Sequence, residues 1–467
     1  MQKLLTILLF LGLLLTVISS AASAQTAISS EAEAHILNEL SRARVPNAAI
    51  AVIQDGQPSY IFKDSEYDTL FQIGSVSKSF TGFGVLLLGD MGLLSVNDPV
   101  NQHLPWFEVR YNGAPVIVTI YDLLHHTSGL TDRQLPVMTG MTTEEYIAQL
   151  IDVELASYPS ARFAYGNVNY TVLGFIIEAV SGQSYDEFMT QYVLHPLGLY
   201  NTFTNTQRAY ETGRVIGGNR LGFLRARPWN PPVMPHEIPT GFIYSSITDM
   251  GRWVAIHLGT VEVSEQFTRV IESSHVPGRN TIYGAGWNVN SATGEIFHAG
   301  GAPGYSAIVQ IFQRSNTAVV VLGSLQMTVT IPFAPLVLTA VESEMFNRVS
   351  MDTWAIMDIF FTILTAVGIV FIVMFVRLVI NLIKRFLHGE VAKVQFTSKN
   401  ITLPIAPLLL SVGLIAGYIV PPAIYNMPYE MLLVFSPASM TAVGIAMWII
   451  VAYFWCSWLA KVFVTPR

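Results

Sequence analysis

Ser75 and Lys78 stand in the segment FQIGSVSKSF (71–80), where a polar run opens into apolar residues. In a helix beginning at Ser75 the two side chains share one face, about one turn apart. A lysine desolvated beside a hydroxyl loses its proton more easily, and the free amine can then accept the serine proton. A helix start at that point also favours the negative charge that develops when a serine oxygen attacks a carbonyl. By itself the spacing reads equally well as a serine cap followed by a solvated lysine, so the rest of the chain has to decide.

Two further constellations follow in order, YGN (165–167) and HAGG (298–301). A serine–lysine pair recurs with later polar triads in penicillin-recognising serine enzymes. Here the second element has a tyrosine form and the third a histidine form. With LLHHTSGL (123–130), NYTVLGFIIEAVSG (169–182), HPLGL (195–199) and YGAGW (283–287), the chain resembles the serine beta-lactamase/penicillin-binding-protein superfamily. Within it, the chain is similar to the class C-like group that also holds D-alanyl-D-alanine carboxypeptidases, D-amino-acid peptidases and esterases. The likeness spans residues 30–345 and none of the apolar C-terminal part.

That resemblance implies Ser75 as nucleophile with Lys78 and Tyr165 as its catalytic partners. A tyrosine at its usual pKa of about 10 is no base at neutral pH unless a cation stabilises the phenolate. Lys78 is expected to be that cation, so that the two share a proton and deliver it to the leaving group. Asn167 is expected to orient Lys78 and to hydrogen-bond a substrate amide. FHAGGAPG (297–304) reads as a strand edge, with Gly300 and Gly301 letting a substrate backbone approach closely. The resemblance implies an oxyanion hole from the N–H groups of Ser75 and Gly301. It also implies His298 as an electrostatic or hydrogen-bonding partner of Tyr165 and of a substrate carboxylate. Ala299 stands where relatives often carry threonine or serine, which removes a hydroxyl that helps hold that carboxylate. His126 and Ser128 are read as packing behind the site. No cluster has metal-ligand spacing and no glycine-rich phosphate loop is present, so neither a metal nor a cofactor is expected.

The elements that must position these residues begin after a leader. Residues 1–24 have a basic start, an apolar run and then ASA, the pattern of a secretory signal peptide. The chain has 467 residues, is 51% hydrophobic and only 12% charged, and the apolar excess lies at its two ends. Residues 354–380, 401–426 and 431–460 each hold a stretch long enough for a hydrocarbon core that needs roughly 20 residues. Three transmembrane helices are therefore expected. The loop 381–400 and the segments beside it carry Arg377, Lys384, Arg385, Lys393 and Lys399, whereas PPAIYNMPYE (421–430) has no basic residue. The positive-inside rule puts that loop and the C-terminus in the cytoplasm and the region before Trp354 outside, in a multi-pass cell-membrane protein. The sole cysteine, Cys456, falls in the last span, so the outer part has no disulfide. A net charge of −7 without a basic patch argues against nucleic acid as a partner.

Strand-like runs flank Asp55 and Gly56 near the start and recur in AIVQIFQRSNTAVVVLGSL (307–325), with helical segments between. The expected architecture for 30–350 is α+β: an antiparallel sheet completed by both ends, flanked by helices, with an inserted helical subdomain. Residues 217–235 are expected to be a surface loop, and the last helix is expected to reach Val349. The expected function is a membrane-anchored extracytoplasmic serine hydrolase working through an acyl-enzyme on Ser75, on a small D-amino-acid peptide or an ester. Its expected surroundings are the lipid bilayer and a lipid-linked substrate or an integral-membrane partner. The alternative is a penicillin-binding sensor that is acylated without efficient turnover.

Overall fold

In the computed structural model the apolar run AAIAVIQ forms β1 (Ala48–Gln54), and a two-residue turn at Asp55 and Gly56 returns the chain as β2 (Gln57–Lys63). Both turn residues have positive φ, 49° and 78°, the backbone twist that tight hairpins favour. The structure describes residues 28–132, 141–230, 234–326, 330–343, 345–349, 353–388, 405–425, 433 and 436–463. The signal-peptide segment 1–24 and most of the loop 381–400 lie outside them.

Far along the chain come β3 (Asn219–Gly222), β4 (Arg225–Pro228), β5 (Asn288–Asn290), β6 (Glu295–Ala302), β7 (Tyr305–Phe312) and β8 (Thr317–Gly323). The main sheet has the order β5-β6-β7-β8-β1-β2 and is antiparallel throughout. Its closure joins the two ends of the domain: β1 pairs with β8 from Ala48 opposite Gly323 to Gln54 opposite Thr317. The helical region lies between β2 and β5, as expected of an α+β chain with an insertion.

Side chains alternate across β1, as strand geometry demands. Ala49, Ala51 and Ile53 enter the larger core, shared with α2 (Ser77–Asp90), α3 (Asn167–Ser181) and α4 (Ile247–His257). Ala48, Ile50 and Val52 enter a second core beneath α1 (Ser30–Arg42) and α5 (Phe333–Ser343). The sheet is therefore covered on both faces. Helix α2 is buried nearly all round, and Phe80 stacks on Trp253 with ring centroids 4.3 Å apart.

Three apolar helices follow: α6 (Thr353–Leu387), α7 (Ile405–Tyr425) and α8 (Ala438–Phe463). Two are long and apolar enough to cross a membrane, over Ala355–Arg385 and Ala438–Ala460. Among the described residues the middle one contributes the apolar stretch Pro407–Gly417, so two long apolar helices are shown where three spans were expected. α6 continues past residue 380 to Leu387, into what was read as a loop. α6 and α8 approach closely: a Cβ on Gly368 would lie 2.4 Å from that of Ala446.

Two other readings are corrected. Helix α5 ends at Ser343, not Val349. Within 217–235 the chain forms the hairpin β3–β4, with Leu221 fully buried. Its turn residues, Phe223 and Leu224, are not turn formers, so no local signal marked it.

Gly286 has φ +86°, and a Cβ there would lie 2.4 Å from the carbonyl oxygen of Lys78. Gly286→Ala is expected to cost on the order of 2–4 kcal/mol from left-handed strain plus overpacking, measured as a lowered denaturant midpoint followed by tryptophan fluorescence. An unchanged midpoint would show that the backbone of α2 is not held by this contact.

Candidate active site

The chain reaches Ser75 through a bend at Gly74, whose φ of +55° turns the short strand Phe71–Gln72 into a 3₁₀ turn, Gly74–Val76. The α-helix proper starts at Ser77, two residues later than expected. Lys78 lies in the first turn of that helix and reaches back across the junction, its Nζ 3.1 Å from Ser75 Oγ.

Lys78 is fully buried. Its Nζ also donates to Asn167 Oδ1 at 2.7 Å and to the Thr240 carbonyl at 2.8 Å. Asn167 opens α3, and Thr240 belongs to the helical turn Ile238–Gly241, so three separate elements fix one nitrogen. The ring of Tyr165 lies 4.9 Å from Nζ. Burial drives the ammonium pKa down to about 7, against the upward pull of Asp132 and Glu237.

Those two acids were absent from the sequence reading. Burial, reinforced by Asp132, raises the Glu237 pKa to about 7, opposed by hydrogen bonds from Thr240 and Thr171 and by the Lys78 charge. Thr240 Oγ1 donates to Glu237 Oε2 at 2.8 Å and Thr171 Oγ1 to Oε1 at 3.0 Å. Asp132, whose pKa burial also raises, accepts the Val168 N–H at 3.1 Å. No spacing rule ties either acid to Lys78. Only the fold brings them together, although a lone acid in HEIPTG (236–241) amid apolar residues was a faint signal.

Tyr165 is 40% exposed, with its hydroxyl beside Ser75. Desolvation raises the phenol pKa above its usual value, the Ser75 contact opposes this, and Asp132 and Glu237 add to the rise. Burial thus moves the two groups in opposite directions, the phenol up and the ammonium down.

His298 is buried on β6, with its ring 6.3 Å from that of Tyr165. Its Nδ1 lies 2.8 Å from the Ala299 carbonyl, which can only accept, so Nδ1 carries the proton and Nε2 accepts from the Tyr283 hydroxyl at 2.9 Å. Both nitrogens are engaged away from Tyr165. Burial, then the Lys78 charge, lowers the imidazole pKa to about 3. His298 is thus a neutral hydrogen-bonding group at pH 7.

Gly300 and Gly301 lie against the nucleophile turn. A Cβ on Gly300 would fall 2.0 Å from the Ile73 carbonyl oxygen, and one on Gly74 would fall 2.6 Å from the Gly301 nitrogen. β5 pairs only with Glu295–Phe297 of β6, so among the described strands that side of 298–302 has no partner. Ser128 Oγ donates to Asn169 Oδ1 at 2.6 Å, and the His126 ring packs 4.4 Å from Tyr165. Both stand behind the site. No group of three potential metal ligands occurs among the described residues.

The arrangement is a serine hydroxyl with a desolvated amine, a phenol, an orienting amide and strand backbone within one cleft. Comparison with known proteins gives it company. "Protein flp" of Staphylococcus aureus (strain MW2) is 27% identical over 311 residues, which cover 62% of each chain. The match therefore spans less than two thirds of that relative's length. The structure of an octameric penicillin-binding protein homologue from Pyrococcus abyssi is similar at 26% identity and a TM-score of 0.53, covering 63% of this chain and 72% of that one. A class C beta-lactamase shares the fold at 17% identity and a TM-score of 0.58, covering 68% of this chain and 97% of that one. The beta-lactamase family profile matches residues 32–328, more than half of the sequence, and the chain belongs to the beta-lactamase family.

Proposed function

We propose that the protein is a membrane-anchored, extracytoplasmic serine hydrolase that forms an acyl-enzyme on Ser75, with D-amino-acid peptides or esters as its substrate class. The observation that carries this reading is the buried Lys78 amine 3.1 Å from Ser75 Oγ, with its pKa lowered to about 7. An amine that is half deprotonated at neutral pH is close to the best general base for a reaction run there. Family membership supports the reaction class. The two long apolar helices support the anchor, and the distribution of Lys and Arg supports the orientation. On this reading α7 is the third span.

In the proposed cycle neutral Lys78 takes the Ser75 proton as Oγ attacks the substrate carbonyl. The backbone N–H groups of Ser75 and Gly301 hold the oxygen that becomes negative. Collapse of the tetrahedral intermediate expels an amine or alkoxide, which takes a proton from the Tyr165 hydroxyl; Tyr165 regains one from the Lys78 ammonium. Water then attacks the acyl-enzyme, giving its proton to Lys78, and Ser75 Oγ leaves with a proton returned. Asn167 keeps Nζ aimed at Oγ. His298, through Tyr283 and the Ala299 carbonyl, holds the strand beside which an extended peptide can lie.

Ser75→Ala should abolish covalent labelling by a fluorescent penicillin and by a fluorophosphonate, read by in-gel fluorescence of the full-length protein. Absence of labelling of the unaltered protein by both probes would overturn the mechanism, and labelling with a single turnover of ester or peptide would favour a sensor. The pH dependence follows from the base. Lys78 is active only when neutral, that is above its lowered pKa, so the second-order rate of fluorophosphonate labelling should rise about tenfold per pH unit below about pH 7 and level off above it. A rate flat from pH 5.5 to 8.5 would remove Lys78 as the base.

A further inference from the structure

Asp358 lies in the second turn of α6, the first long apolar helix, and is completely buried. A carboxylate in such a helix is costly unless it is paired and hydrogen-bonded. Here three other elements converge on it. The backbone N–H of Phe223 donates to Oδ1 at 3.0 Å and that of Leu224 to Oδ2 at 2.8 Å. Ser439 Oγ, at the start of α8, donates to Oδ1 at 2.6 Å. The Arg44 guanidinium, just beyond α1, stands 3.7 Å from Oδ2.

Phe223 and Leu224 are the turn of the β3–β4 hairpin, with φ of 55° and 65°. Neither residue favours that conformation, which in tight hairpins is the province of Asn and Gly. The two N–H groups meet the carboxylate oxygens one each, and these charge-assisted bonds offset the strain. The hairpin is also packed down along its length. Leu221 shares the second core with Ile308 and Val319 of the sheet, and Ala226 and Met440 lie against that same core. A Cβ on Gly222 would lie 2.8 Å from the Cβ of Ala438.

At its other end the hairpin grips the turn between β6 and β7. Asn219 N–H donates to the Gly304 carbonyl at 3.1 Å, and Tyr305 Oη donates to the Ile216 carbonyl at 2.6 Å. Gly304 is three residues from Gly301, which lies against the Ser75 turn. A continuous run of bonded backbone therefore leads from the apolar helices to the strand beside the nucleophile.

We propose that Asp358 is a positioning residue: it docks the β3–β4 hairpin onto α6 and α8 and thereby fixes the end of β6 next to Ser75. The effect on labelling rests on the serine-hydrolase reading above; the docking itself does not. Asp358→Ala and Asp358→Asn in the full-length protein, in membranes, should expose the hairpin to trypsin after Arg225, with cleavage at least tenfold faster, a factor suited to losing charge-assisted bonds. Second-order fluorophosphonate labelling of Ser75 should fall about tenfold with them. A Gly222→Cys/Ala438→Cys pair in a Cys456→Ser background should form a disulfide after a small shift of the helix end. In the Asp358→Ala protein, oxidation of that pair should restore both protease resistance and labelling. General destabilisation would not be repaired by one local cross-link.

The proposal fails if cleavage and labelling are unchanged by both substitutions. It fails equally if oxidation restores neither, or if the cysteine pair does not cross-link when Asp358 is intact. Should Asp358→Ala not accumulate, Asp358→Asn decides by the same readouts, since it keeps the volume and one acceptor oxygen. If the unaltered protein takes no serine probe, the hydrolase reading falls, while cleavage and cross-linking still decide the docking.

Discussion

The lysine nitrogen buried at the head of α2 is the constraint on which the rest of the site depends. An ammonium removed from water loses solvation that hydrogen bonds alone only partly replace, so its proton becomes easy to remove. Ser75 Oγ, Asn167 Oδ1 and the Thr240 carbonyl occupy its three donor directions, leaving little freedom to swing away. The acids Asp132 and Glu237 keep the balance from tipping too far, since their charge pulls the lysine pKa upward while their own burial favours protonation. Burial moves Lys78 down and Glu237 up, each opposed by the charge of the other.

Such a nitrogen is useful only if backbone comes equally close, and glycine provides that. Gly74 bends the chain at positive φ, Gly300 leaves room for the Ile73 carbonyl, and Gly286 lies against the carbonyl of Lys78 itself. The sheet supplies rigidity because both faces of β1 are covered and its strands tie the two ends of the domain together. Strand β6 is the exception, with a side that β5 leaves open. Its far end is steadied by the hairpin resting on α6 and α8. Catalytic strand and apolar helices are thus parts of one bonded assembly.

Much of this was legible in the residues. The continuous apolar run AAIAVIQ, the turn at Asp55 and Gly56, and the apolar strands after Ala307 announced the sheet and its closure, because such patterns reflect burial directly. Ser75 with Lys78 was visible because helical spacing alone puts them on one face. Glu237 and Asp132 were not, since their proximity to Lys78 comes from tertiary packing and no period encodes it. The hairpin at 219–228 was hidden for a different reason: its turn uses Phe223 and Leu224, stabilised by a distant aspartate in place of local turn chemistry. Composition marked three apolar segments, and a helix occupies each of them, Thr353–Leu387, Ile405–Tyr425 and Ala438–Phe463. The upward shift of the Tyr165 phenol was not legible either, because an isolated phenol pKa says nothing of the desolvation that raises it.

The central claim is that Lys78 is largely able to lose its proton at neutral pH, and direct titration of its amine tests this most closely. Carbon-13 labelling of lysine side chains in the detergent-solubilised protein lets each Cε resonance be followed with pH. One resonance, absent from Lys78→Arg, should titrate near pH 7 while the others titrate near their ordinary value of about 10.4. If every lysine titrates near 10, the buried amine is a fixed cation, and the account of how Ser75 is activated is wrong.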